Sequence, residues 1–200
     1  MSLDYGLHPL EEHSENHEIL LIGVHGSESR GYEWVYPLQT LDTPETLILF
    51  FRWNDKKCPG PSYEKLYSSI DSLLQLNTNL KEVVVIGHSY GALLVSMFLS
   101  EWSKETPLAV HAIAGPLAGM PSINSLCLYN PPNLINNNVK FYEWRTIQAL
   151  DGAFRDLNYD PQIVEIKKSA VTRLPETYKG NKLGHNWSIS WVADEIKKTN

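Results

Sequence analysis

Short, unbroken apolar runs recur along the chain, each closed by turn-forming residues. Residues 19–24 (ILLIGV) end at His25-Gly26, residues 47–53 (LILFFRW) at Asn54-Asp55, and residues 83–86 (VVVI) at Gly87. Runs that are apolar on both faces predict fully buried parallel strands. Between the second and third, Leu66, Tyr67, Ile70, Leu73 and Leu74 recur at three- and four-residue steps. That period predicts an amphipathic helix over 63–76, entered at Pro61-Ser62 and left at 77–79. Residues 91–102 are apolar nearly all round, which predicts a buried central helix. Further strands are predicted at 108–114, 139–148 and 169–174, and a C-terminal helix at 187–198, while the Pro-, Asn- and Ser-rich stretch 120–138 reads as a loop. Strands alternating with helices predict an α/β fold, with a mainly parallel central sheet and helices on both faces. Residues 1–18 are expected to form a flexible segment, and 19–200 a single domain.

Charge and composition narrow the function classes. Seventeen Lys and Arg against 23 Asp and Glu give a formal net charge of −6, the wrong sign for a nucleic-acid partner. A small uncharged substrate fits this balance better than a polyanion. No stretch has the roughly 18 apolar residues of a membrane-spanning helix, and the first 18 residues lack the apolar core of a signal peptide, so a cytoplasmic location is expected. Cys58 and Cys127 are the only cysteines, too few for a disulfide scaffold, and read as free thiols.

The chemistry concentrates in Gly87-His88-Ser89-Tyr90-Gly91, a G-x-S-x-G set between the predicted strand 83–86 and the predicted helix from 91. A strand that turns sharply into a helix pushes the central serine hydroxyl out above the sheet edge, and glycine at both flanks removes side chains that would clash. The helix N-terminus favours negative charge developing at the same spot.

This pentapeptide, its strand–helix setting and the early His25-Gly26 turn resemble the α/β-hydrolase superfamily, and in particular its small esterase- and lipase-like members without a large cap domain. The resemblance spans residue 19 to about residue 198. It implies a nucleophilic Ser, an acid and a His in that order along the chain. Ser89 is the nucleophile. His185, in a loop between the last predicted strand and the terminal helix, is positioned to be its general base. Asp151, three residues beyond the strand 139–148, is the preferred acid; Asp156 is its rival, and Asp160, in Asp-Pro, reads as a turn or cap residue. The oxyanion hole is assigned to the Tyr90 N–H and to Ser27, with Gly26 as the alternative to Ser27.

The other histidines read differently. His88 is expected to pack beside the nucleophile, and His111 to be a hydrogen-bonded core residue. His13 and His17 have helical i, i+4 spacing, but no carboxylate–histidine constellation accompanies them to make a metal site. A Ser-Asp-His triad needs no metal or cofactor. The expected reaction is hydrolysis of a small acyl ester or thioester through an acyl-enzyme. An acyltransferase with the same triad, or a binding protein on the same fold, are the alternatives. The short stretch 120–138 predicts a lightly covered site, and Tyr32, Trp34, Tyr36 and Trp187 are candidates to line an apolar acyl pocket.

Overall fold

A computed structural model describes residues 4–199. The apolar runs become strands: β2 (Ile19–Val24), β3 (Thr46–Arg52), β4 (Glu82–His88), β5 (Leu108–Ile113), β6 (Val139–Arg145) and β7 (Ala170–Arg173). With β1 (Gly6–Pro9) they form a seven-stranded sheet in the order β1-β3-β2-β4-β5-β6-β7. Every neighbouring pair is parallel except β1 with β3. The edge strand β1 was not predicted, because Gly6–Pro9 is short and half-exposed and carries no apolar run.

Buried residues alternate between the two sheet faces. Leu20, Ile22 and Val24 of β2 join Leu47, Leu49 and Phe51 of β3 under α2 (Pro59–Leu76) and α3 (Tyr90–Ser96). Leu21, Ile48 and Phe50 point the other way, under α1 (Tyr32–Leu41) and the terminal helix. Burying each such aliphatic side chain contributes about 1.5–3 kcal/mol, so the sheet is fixed from both sides.

Three helical features depart from the predicted pattern. Helix α1 carries Pro37 in its interior, a residue that argues against a helix in the sequence. The helix expected over 91–102 breaks at Met97 into α3 and α4 (Phe98–Glu101), where the Ser96 hydroxyl donates back to the Leu93 carbonyl at 2.8 Å. Within the stretch read as a loop, α5 (Pro121–Cys127) forms a short helix that buries none of its residues. The C-terminal helix, α6 (Trp187–Thr199), follows a small hairpin of β8 (Thr177–Tyr178) and β9 (Asn181–Lys182). No helix among the described residues is long and apolar enough to cross a membrane.

The strand order fixes where a site can form. From central β2 the chain moves outward to β3, then crosses back to β4 on the other side of β2. The connections leaving β2 and β4 therefore diverge to opposite faces, α1 under one and α3 under the other. In open α/β sheets ligands bind in the crevice that such a switch leaves at the carboxyl ends of the strands.

Candidate active site

Ser89 stands at that crevice, immediately after β4 and before α3. Its backbone is held at φ 55° and ψ −120°, a conformation costly for a residue with a side chain. Hydrogen bonds on both sides enforce it: the Ser89 N–H donates to the Ile113 carbonyl at 2.9 Å, and the Ser89 carbonyl accepts from the Ala92 N–H at 3.0 Å. The turn closes this tightly only because Gly91 lacks a side chain, since a Cβ there would lie 2.5 Å from the Val24 carbonyl oxygen.

His185 lies in the loop between β9 and α6. Its Nδ1 is 2.9 Å from each carboxylate oxygen of Asp151. A carboxylate only accepts, so in the neutral imidazole the proton sits on Nδ1 and the lone pair on Nε2, the tautomer a general base requires. The His185 carbonyl accepts from His88 Nε2–H at 3.1 Å and from the Ser188 hydroxyl at 2.5 Å, which pins the loop. The imidazole packs on the His88 ring, with centroids 4.6 Å apart, and meets the edge of Phe154 at 5.1 Å. His88 precedes Ser89, and Phe154 lines a pocket together with Ser89. Asp151 and His185 are thus in direct contact, and the ring on which His185 packs belongs to the residue that precedes Ser89.

Asp151 follows a single 3-10 turn (Gln148–Leu150) after β6 and is fully buried. Burial pushes its carboxyl up, but the hydrogen bond and charge of His185, the Thr146 hydroxyl and the Ala153 N–H (2.8 Å) more than offset this and hold it below the ordinary carboxylate range. Thr146 donates to Asp151 Oδ2, and Thr146 is itself fixed by Gln162, whose Oε1 accepts the Thr146 N–H at 2.8 Å and whose Nε2 donates to the Thr146 carbonyl at 3.0 Å. Sequence reasoning missed both residues: Thr146 offered only its polar type just after β6, and Gln162, in an irregular turn, offered no signal. The rival Asp156 is exposed and pairs with Arg155 at 3.5 Å, away from His185. Asp160 accepts from the Gln162 N–H at 3.1 Å and pairs with Arg173 at 3.3 Å.

The loop after β2 meets the elbow closely. A Cβ on Gly26 would lie 2.8 Å from Ser89 Cβ and 3.0 Å from the His88 carbonyl oxygen. His25 is fully buried, its Nδ1–H donating to the Gly26 carbonyl at 2.7 Å and its Nε2 accepting the Trp53 N–H at 3.1 Å; burial keeps the ring neutral by lowering its pKa. Beyond it, Asp55 Oδ2 accepts the Glu28 N–H at 2.6 Å and anchors the far end of the loop. Among the described residues, the N–H groups of Ser27 and Tyr90 donate to no protein acceptor. Both residues line the pocket that holds Ser89, which encloses about 480 Å³. A larger groove of about 900 Å³ runs along α1 and the β1–β3 edge, and Ser89 does not line it.

Other expectations need correction. Cys58 and Cys127 are not free thiols: they form a disulfide, with Cα atoms 5.4 Å apart. They are 69 positions apart, and only the folded chain, which brings the start of α2 to the end of α5, shows the pairing. Of the four aromatics proposed for an acyl pocket, none lines the Ser89 pocket. Trp34 is core under α1, Tyr36 donates to Asp194 at 2.7 Å, Tyr32 is exposed, and Trp187 packs on Tyr178. His13 and His17 lie in an irregular segment, not on a helix, and the Ser14 N–H donates to His17 Nδ1 at 3.2 Å. His111 is buried and accepts from Trp144 Nε1 at 3.0 Å; burial pushes its pKa down to about 3.

Comparison of the fold with solved structures decides the architecture. Est1E from Butyrivibrio proteoclasticus superposes with a TM-score of 0.62 at 14% identity, covering 96% of this chain and 90% of that one; it has also been solved with ferulic acid bound. A lipase-esterase related protein from Clostridium acetobutylicum gives 0.61 at 13% identity, covering 96% and 98%. This chain has the α/β-hydrolase fold. The esterase domain of a Rhodothermus marinus protein agrees, at 0.59 and 13% identity over 96% of this chain and 89% of that one. No protein-family model matches the sequence, and no curated protein does. Within the α/β-hydrolase fold, Ser89 takes the place after the strand next to β2, and no large cap is inserted between β5 and β6.

Proposed function

We propose that this protein is a serine hydrolase that cleaves small carboxylic esters or thioesters. The observation that carries the reading is the buried Asp151 carboxylate at 2.9 Å from His185 Nδ1, beside a strained serine elbow at the sheet's switch point. Nε2 of His185 takes the proton of the Ser89 hydroxyl as its oxygen attacks the acyl carbonyl. The N–H groups of Tyr90 and Ser27 are free to receive the resulting oxyanion. The alcohol or thiol leaves with the proton from His185, giving an acyl-Ser89 ester. Water, deprotonated by the same imidazole, then releases the acid. Asp151 holds the tautomer throughout and balances the imidazolium. His88, whose pKa burial and then the His185 charge lower well below the ordinary value, stays neutral and shapes the loop without competing as a base. The disulfide fits an oxidising compartment better than the cytoplasm.

The test is covalent labelling by an alkyl fluorophosphonate together with hydrolysis of p-nitrophenyl acetate. The wild-type protein is expected to label and to turn over; Ser89→Ala is expected to do neither. A wild-type protein that neither labels nor hydrolyses any ester refutes the reading.

A further inference from the structure

Helix α5 has seven residues and buries none of them. A helix this short is not stable by itself, so something outside it must hold it in place. Its N-terminal flank is tied back by the Ala118 N–H, which donates to the Pro161 carbonyl at 2.9 Å, and by the Tyr159 hydroxyl, which donates to the Gly119 carbonyl at 3.4 Å; two further contacts hold its other end. At its end, Cys127 is bonded to Cys58, the residue that precedes α2, an 18-residue helix whose Leu66 and Ile70 are fully buried. Just beyond, the Tyr129 hydroxyl donates to the Leu117 carbonyl at 3.0 Å, while Leu128, at φ 51°, turns the chain away. The covalent contact ties a loosely packed element to a rigid post.

That post and that element adjoin in the lining of the Ser89 pocket. Lys56, Lys57 and Cys58 come from the approach to α2, and Met120, Ile123 and Leu126 from the start and body of α5. We infer that the Cys58–Cys127 disulfide fixes α5 as the apolar wall of the substrate pocket, and that this clipped wall determines which esters the pocket holds. The inference rests on the hydrolase reading. The wall offers thioether and aliphatic carbon, so the group it takes is the apolar chain of an acyl ester a few carbons long. An acetyl group is too short to use it. With the wall in place, a butyryl chain packs against Met120 and Ile123; with the wall adrift, that contact is lost while the Ser89–His185–Asp151 arrangement, built from other elements, persists.

The experiment compares the intact protein with Cys58→Ala/Cys127→Ala, measuring KM and kcat for p-nitrophenyl butyrate and p-nitrophenyl acetate. Loss of a contact made equally in ground and transition states raises KM and leaves kcat, so the butyrate KM is expected to rise about 10-fold with both acetate constants within about 3-fold. A butyrate-to-acetate ratio of KM that does not change overturns the inference. Should the double variant be unfolded at the assay temperature by circular dichroism, Ile123→Trp with the disulfide intact replaces it. The added bulk is expected to raise the butyrate KM selectively, and an unchanged ratio again overturns the inference. Limited proteolysis reads the wall without any turnover. Cleavage between residues 120 and 134 is expected to be about 10-fold faster in the double variant, following the population of the opened segment, and equal cleavage refutes the clip. A wild type inert to every ester and to fluorophosphonate, yet showing the faster cleavage on loss of the cysteines, removes the hydrolase reading and keeps the clip.

Discussion

Replacing Thr146 by Val removes one hydroxyl and almost no volume. That hydroxyl is buried and donates to Asp151 Oδ2. Gln162 Oε1, the other group within reach at 3.1 Å, retains the Thr146 N–H as its donor, and Asp151 Oδ2 retains His185, so the substitution removes one donor from the carboxylate and strands no acceptor. A hydrogen bond to a charged group contributes about 1.5–3 kcal/mol, and this sets the expected loss of stability near neutral pH. For a domain of this size that corresponds to a fall in melting temperature of about 3–12 °C. The sign of the pH dependence follows from the direction of the Asp151 shift. Its folded-state pKa is depressed, so the ionised group stabilises the fold above the unfolded-state value of about 3.9, and this contribution fades as pH falls through the lower, folded-state value. The gap between wild type and Thr146→Val is therefore expected to be full near neutrality and to narrow in strong acid. Urea unfolding across that range measures it, with Thr146→Ser, which keeps the hydroxyl, as the conservative variant. A gap that is the same at all pH values, or a Thr146→Ser variant as impaired as Thr146→Val, refutes the reasoning.

Asp151→Asn is expected to lower kcat about 10⁴-fold, as loss of the orienting acid does in a well-studied triad, while the exposed Asp156→Asn stays within about 2-fold; parallel kinetics decide, and the reverse ranking removes Asp151 from its role. Gly26→Ala would put a methyl carbon 2.8 Å from Ser89 Cβ, where carbon atoms prefer about 3.5–4.0 Å, so the elbow or the loop must shift by roughly 1 Å. A displacement of that size at reacting groups costs about 100-fold, which kcat/KM for p-nitrophenyl acetate would report; wild-type kcat/KM would mean that the loop and the nucleophile are not coupled.

The parts of the fold legible in the sequence are those whose physics is local. Strand β2 has the bounds that its apolar run predicted, and β3, β4 and β5 differ from theirs by two residues or fewer, because a strand buried on both faces needs no partner to be recognised. The G-x-S-x-G turn was legible for the same reason: strand, bend and helix are contiguous in the chain. Helix α1 was hidden by Pro37 and by aromatic residues that split between core and surface, Trp34 buried and Tyr32 exposed. The disulfide, the Thr146–Gln162 support of Asp151 and the contact of Gly26 with Ser89 are properties of distant segments meeting, and periodicity carries no information about them.

The left-handed backbone at residue 89 sets folding against chemistry at a single position. Glycine adopts such angles without the penalty of roughly 1–3 kcal/mol that serine incurs there. On the proposed function, a screen for heat tolerance alone would therefore reward replacing Ser89 by glycine and deliver a sturdier, inert protein. Stabilised variants of this scaffold must be selected for activity and durability together.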